Sequence, residues 1–420
     1  MSCSGSTTSP SSGNGGSPAA SPVVLCPATT VTTVHARLQL KSLTFSGGSD
    51  IDNDAYGNFL TPHFLVGRAA DASPRVQLPA QFPYAITLAT KLRAVAVFNV
   101  TQQPTASESV TIDAEAVVAG TTLRFRSSVT VNPSDTEVTT SSLMSDVNLP
   151  NTILKVDPLT INWFQTPCDV ARRPAGSSAN TFYITLDTPT TSALYWTLLE
   201  VSCTAASAET TVTGLRSKSY AALRTLDIKR KRDNQDLTYW NPRRPTASSI
   251  RSLLYSANGS GECGAWAEFL VDMWKSHGDD GGHKALISRS ISDFRHRIRR
   301  RTMQFFLVKN WLFYPPHPAV PEKFVYKLHL ECIETPGVAG QNSPNPPPAF
   351  KNHFIVIVPN VRGSKFYDPS YGSQVFSTML AWENDSIDGL LSGNLTGYRK
   401  SYLRSTQLLE LEDLKTGNRH

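Results

Sequence analysis

Between Val110 and Val131 apolar and polar residues alternate almost without a break. Val110, Ile112, Ala114 and Ala116 alternate with Thr111, Asp113 and Glu115. Leu123, Phe125, Val129 and Val131 then alternate with Thr122, Arg124, Arg126, Ser128 and Thr130. A period of two puts each set on one face of a strand, and Gly120 between the runs predicts a hairpin. Further strands are expected at Val34–Phe45, Leu92–Val100, Leu159–Phe164, Thr181–Leu186 and Leu194–Cys203. No helical run interrupts them. Half-polar strands without crossover helices imply antiparallel sheets, and one-sided sheets bury their apolar faces against each other. Residues 31–205 are therefore expected to form a β-sandwich.

The rest of the chain has a different grammar. Residues 1–30 are rich in Ser, Thr, Gly and Pro and hold too little apolar surface to repay ordering, so a disordered leader is expected. Residues 206–245 read as a linker, and after Pro245 the apolar period becomes helical. Ser248–Tyr255 and Glu262–His277 are predicted helices. Thr302–Phe313, Phe324–Glu331 and Asn352–Val358 are predicted strands, with a Pro-rich loop before the last. A chain of 420 residues exceeds what one core usually serves. The expected architecture is multi-domain: an N-terminal all-β antiparallel sandwich and a C-terminal α+β domain over 246–420.

The formal net charge of +6 is too mild to argue for a nucleic-acid partner. Six cysteines without CxxC pairs exclude a zinc-stapled domain, and no cofactor is expected. Cys168 and Cys203 are open to two readings, a disulfide or two buried thiols. No apolar run approaches the ~18 residues that span a bilayer. The first residues show no secretory signal, which leaves the compartment open.

Chemistry is concentrated in Ser260–Gly278. Trp266, Phe269, Leu270, Met273 and Trp274 repeat at the spacing of one buried helical face. Ser260 or Gly261 is expected to cap the helix and Gly278 to end it in a left-handed turn. Cys263 then lies in the first turn, where unpaired N–H groups and the positive helix end favour thiolate over thiol. The same N–H groups suit an oxyanion, and Gly261 and Gly264 are expected to leave the sulfur open to a substrate. A buried structural cysteine is the alternative. His353 opens the apolar strand NHFIVIV. Asp368, in FYDPSYG, comes back near it if the next run pairs antiparallel; the carboxylate could then hold the imidazole.

GECGAWA, NHFIVIV and FYDPSYG, in that order and about 90 residues apart for the first two, resemble the transglutaminase-like superfamily of papain-related folds. The resemblance covers roughly 245–375. It implies a Cys263–His353–Asp368 triad and a thioester intermediate on a protein or peptide substrate. It also implies a donor upstream of the nucleophile, for which Trp240 and Asn258 are the local candidates. The long basic and Pro-rich stretch before His353 departs from compact members of the family, so substrate preference does not carry over. The competing function is a fold of this kind that no longer turns over and serves as a binding or structural surface.

Two features are set aside. HGDDGGH (His277–His283) has metal-capable side chains, but its glycines leave them unfixed, and a polar loop without metal is expected. KRKR (Lys229–Arg232), NPRRP (Asn241–Pro245) and RHRIRRR (Arg295–Arg301) are expected to be solvated surface, with an anionic polymer or surface as the partner they would suit.

Overall fold

The computed structural model describes residues 33–73, 76–168, 170–241 and 245–289. It then describes 303–308, 323–327, 338–344, 346, 349–350, 352–361, 363–394, 397–403 and 409–413. The Ser/Gly/Pro-rich leader, the RHRIRRR run, Arg243, Arg244 and most of the Pro-rich loop lie outside the described residues.

Strands dominate, in several sheets. Glu108–Val118 and Thr121–Val131 form the predicted hairpin, with Val118 opposite Thr121. Ala119 and Gly120 between them take φ of 47° and 81°. Two successive positive φ values define the two-residue turn whose twist matches the strands it joins. The hairpin is one edge of a six-stranded sheet. Beyond it lie Leu154–Pro167, Arg173–Thr185, Tyr84–Thr87 and Ser49–Asp50. A second sheet pairs Arg37–Ser46 with Arg93–Gln102 and is completed by Phe64–Leu65, Glu137–Thr139 and Leu143–Met144. Leu38, Leu40 and Phe98 of one sheet share a core with Ile112, Phe125 and Trp163 of the other.

One pairing differs from the all-antiparallel expectation. Tyr84–Thr87 runs parallel to Arg173–Thr185. Alternation reports which face of a strand is buried and carries no information about the direction of its neighbour. A parallel pair needs a long connection, which the intervening strands supply here.

Two boundaries also move. Leu194–Cys203, expected as a strand, is mostly helix α1 (Trp196–Ala205). Leu194, Trp196 and Leu198 alternate, but Leu198, Leu199, Ser202, Cys203 and Ala206 fit a helical face and are all buried. The expected linker 206–245 contains helix α2 (Val212–Leu223), capped by the Thr211 side chain, which accepts the Gly214 N–H at 3.1 Å. Its Leu215, Tyr220 and Leu223 enter the same core as α1. The basic run Lys229–Arg232 is solvated surface only in part, with Lys229 exposed. Arg230 and Arg232 are buried, and Arg230 donates to Asp233, Gln235 and the carbonyls of Leu254 and Ser256. Lys231 pairs with Glu200 at 3.1 Å.

Helix α3 (Ile250–Tyr255) and helix α4 (Cys263–Lys275) follow. Gly278 takes φ +80°, as a left-handed end requires. The α4 cap differs: it is Glu262, and no side chain bonds there. A four-stranded sheet in the order Lys365–Tyr367, His353–Val358, His283–Arg289, Leu409–Asp413 packs on α4. A five-stranded sheet orders Lys323–Lys327, Gly397–Leu403, Ile387–Asn394, Met303–Val308 and Ala349–Phe350. Helix α5 (Met379–Ser386) precedes Ile387–Asn394. No described helix is long and apolar enough to cross a membrane.

Candidate active site

Helix α4 is buried around most of its circumference. Trp266, Phe269, Leu270, Met273 and Trp274 are fully enclosed, and Ala265, Ala267 and Val271 on other faces are buried too. The reason is its position between the four-stranded sheet and helices α1 to α3. A helix enclosed in this way holds its first residue, Cys263, rigidly.

The glycines beside Cys263 serve this packing, not access. A Cβ on Gly264 would lie 3.1 Å from the Ser248 carbonyl oxygen and 3.4 Å from the Phe354 ring. One on Gly261 would lie 3.1 Å from Leu253. Cys263 itself is 5% exposed, so the expectation of an open sulfur is corrected. Ala265 and Trp266 return their N–H groups to the Glu262 carbonyl, and no side chain caps the first turn. The backbone N–H groups of Cys263 and Gly264 therefore meet no capping side chain.

His353 and Asp368 come together as the strand register requires. Lys365–Tyr367 pairs antiparallel with His353–Val358, with Val356 opposite Tyr367. Asp368 follows directly and meets the imidazole, with 2.9 Å between His353 Nε2 and Asp368 Oδ2. Both side chains are 2% exposed. The Cys263 side chain lies within interaction range of the same ring. Burial pushes the His353 pKa down. The Asp368 charge and hydrogen bond, with the Cys263 contact, outweigh it and raise the value to about 10. The ring is thus an imidazolium across the neutral range, held between a carboxylate and a thiol. All three predicted triad residues share one site.

The two upstream candidates separate. Trp240 adopts φ 47° and packs edge-on to Phe350, 6.2 Å between centroids, and Phe350 lies 5.8 Å from the His353 ring. It is therefore near the site, one ring removed from the histidine. Asn258 is occupied by its own loop: its Nδ2 donates to the Pro245 carbonyl and its Oδ1 accepts from the Ser260 N–H, both at 3.0 Å.

Several residues at the site are illegible in the pattern. Trp382 of α5 stacks on His353, 6.1 Å between centroids and 9° between planes. Tyr220 of α2 clamps the aspartate loop: its hydroxyl accepts from the Asp368 N–H at 3.2 Å and donates to the Ser373 carbonyl at 2.8 Å. Gln341 donates to the Leu223 and Pro369 carbonyls. Tyr239 and Tyr371 stand 5.1 Å apart, with Tyr371 5.8 Å from His353. Each of these side chains is apolar-bodied or amide-bearing and lies in a segment of no clear period, so it reads as ordinary core or loop.

The set-aside features are also placed. His277 is buried, accepting the Leu186 N–H on Nδ1 at 3.2 Å and meeting Ser202 Oγ at 2.8 Å through Nε2. Asp279 is bound by Arg216. HGDDGGH is therefore a tie between elements, and its first histidine is not part of a polar loop. Among the described residues no three His, Cys, Asp or Glu side chains converge in a way that would hold a metal. Cys168 is disulfide-bonded, while Cys203 is a free buried thiol, so the two do not pair.

No family model matches this chain, and no curated protein matches it in sequence.

Proposed function

We propose that the chain is a cysteine-dependent amide hydrolase or acyl-transferase whose C-terminal part, 246–420, has a transglutaminase-like, papain-related fold, joined to an N-terminal β-sandwich. One observation carries this reading: a single buried imidazole bonded to a carboxylate on one nitrogen and engaged by a helix-first cysteine. The supporting element order is helix, then histidine strand, then aspartate.

In the proposed reaction the Cys263 thiolate attacks a carboxamide or peptide carbonyl. A C–S bond forms and the carbonyl π pair moves to oxygen. Collapse restores the carbonyl and breaks the C–N bond, and the amine leaves with the proton of the His353 imidazolium. The thioester is then cleaved by water, deprotonated by the now neutral His353, or by an amine acceptor. Asp368 orients the ring and stabilises its charged form. Hydrolysis is preferred because water needs no acceptor site.

The competing reading is an inert fold used as a binding or structural surface, and the low exposure of Cys263 favours it. Iodoacetamide labelling at about pH 6 separates the two. The expected result is selective alkylation of Cys263 over Cys203, whose thiol burial pushes up and holds protonated, with the selectivity lost in His353→Ala. Equal, slow labelling of both thiols would remove the enzyme reading.

A further inference from the structure

Tyr239 and Tyr371 stand beside the His353 ring with 5.1 Å between their own centroids, and neither phenol makes a well-formed hydrogen bond within the described protein although both oxygens are buried. Their positions are set by backbone. Thr238–Tyr239 pairs in parallel with Ser260–Gly261, with Tyr239 opposite Gly261, two residues before Cys263. The Tyr239 N–H donates to the Gln341 carbonyl at 2.7 Å, and the Gln341 N–H to the Ser370 carbonyl at 3.0 Å. One hydrogen-bonded chain therefore ties both tyrosines to the Asp368 loop.

The proton count is informative. Two phenols carry two O–H protons. If one phenol donates to the other, a single O–H remains, and the pair faces Cys263 and Asp368 within electrostatic reach. Burial, and the charges of Cys263 and Asp368, hold both phenols well above their ordinary titration range, so they stay protonated donors. A buried donor left without an acceptor destabilises the fold. Such a cost is tolerated where the acceptor arrives with a substrate.

We infer that the paired hydroxyls of Tyr239 and Tyr371 receive the oxyanion formed when Cys263 attacks a carbonyl, alongside the first-turn N–H groups of α4. This rests on the proposed nucleophile, and it assigns to the tyrosines the donor role for which Trp240 and Asn258 are the sequence candidates.

The test uses the full chain and two probes that differ in whether an oxyanion forms. With p-nitrophenyl acetate, a C–S bond forms and negative charge develops on the carbonyl oxygen. Collapse then expels p-nitrophenolate with the C–O pair and leaves an acetyl thioester. With iodoacetamide, sulfur displaces iodide at a saturated carbon and no oxyanion appears. Tyr239→Phe and Tyr371→Phe are expected to slow acetylation of Cys263, the double variant by ~10²–10³-fold. Alkylation should change by less than ~2-fold. Thermal midpoints should be little changed, because neither hydroxyl makes a well-formed hydrogen bond to the rest of the fold.

Parallel losses of acetylation and alkylation, a lowered thermal midpoint, or full-rate acetylation in the double variant would each overturn the donor assignment. If the unsubstituted chain alkylates Cys263 no faster than Cys203, the nucleophile reading falls and the donors with it. If that selectivity is present and the Phe variants acetylate normally, only the donor assignment falls.

Discussion

At the scale of single residues, the site depends on a histidine that stays charged while buried. Its pKa, about 10 against an ordinary 6.5, lies above the unfolded value. The folded state therefore holds a proton that the unfolded state releases between these values. This contribution to stability is full below about 6.5 and is lost as pH rises to about 10. Asp368→Asn is expected to remove this dependence, read as the urea midpoint against pH. It should also slow acylation by on the order of 10²–10⁴-fold, because the amide no longer favours the imidazolium. Under the proposed reaction, turnover of amides should decline above about pH 10, where the leaving amine would lose its proton source. Cys263, His353 and Asp368 were legible because each opens or follows a segment of strong period, where a polar residue is out of place. Tyr239 and Tyr371 were not, since a tyrosine among apolar neighbours has the same pattern whether its hydroxyl serves packing or chemistry.

At the scale of elements, α4 and its strand partner were legible because their periods are long. Helix α1 stands where a strand is expected over Leu194–Cys203, and a segment this short does not separate period 2 from period 3.6. Helix α2 hides behind a polar composition, VTGLRSKSYAAL, yet it reaches the site through Tyr220. Tyr220→Phe should leave the Asp368 N–H and the Ser373 carbonyl without that hydroxyl partner, costing about 1–3 kcal/mol by urea titration. Acetylation of Cys263 should slow as well, because the aspartate loop loses its clamp. Activity unchanged at full stability would show that the loop needs no clamp. Trp274 gives a packing control: fully buried, its indole donates to Ser219 Oγ at 3.0 Å. Trp274→Ala should cost about 3–5 kcal/mol.

At the scale of the whole molecule, an aspartate turn after the second strand of the chain ties the six-stranded sheet to helices α1 and α3. Asp52 accepts from the Tyr255 hydroxyl of α3, and Asp54 accepts the Thr197 N–H and hydroxyl of α1 at 3.0 and 2.6 Å. Burial raises the Asp54 pKa to about 7, against the Thr197 bonds. Its protonated form is favoured by folding, so this contribution is full below about 3.8 and is lost by about 7. His277 has the opposite sign: burial lowers it to about 3, so its contribution is full above about 6.5 and is lost as pH falls towards 3. The two oppose each other in the acid range, and the difference between the unsubstituted chain and Asp54→Asn isolates the first. That difference in thermal midpoint should change between pH 4 and 7 and stay flat above. No local pattern announces such a tie, because its partners stand about 140–200 residues apart in sequence.

The parallel strand Tyr84–Thr87 carries a consequence in time. Its partner, Phe182–Thr185, is made about 95 residues later, which at ribosomal rates is ~5–20 s. Throughout that interval the strand's inner edge has no ladder to join, while the Glu108–Val131 hairpin has already emerged complete. The N-terminal core is therefore expected to close from its hairpin edge towards its parallel edge as synthesis proceeds, and the tie to α1, at Thr197, follows about a dozen residues after Thr185.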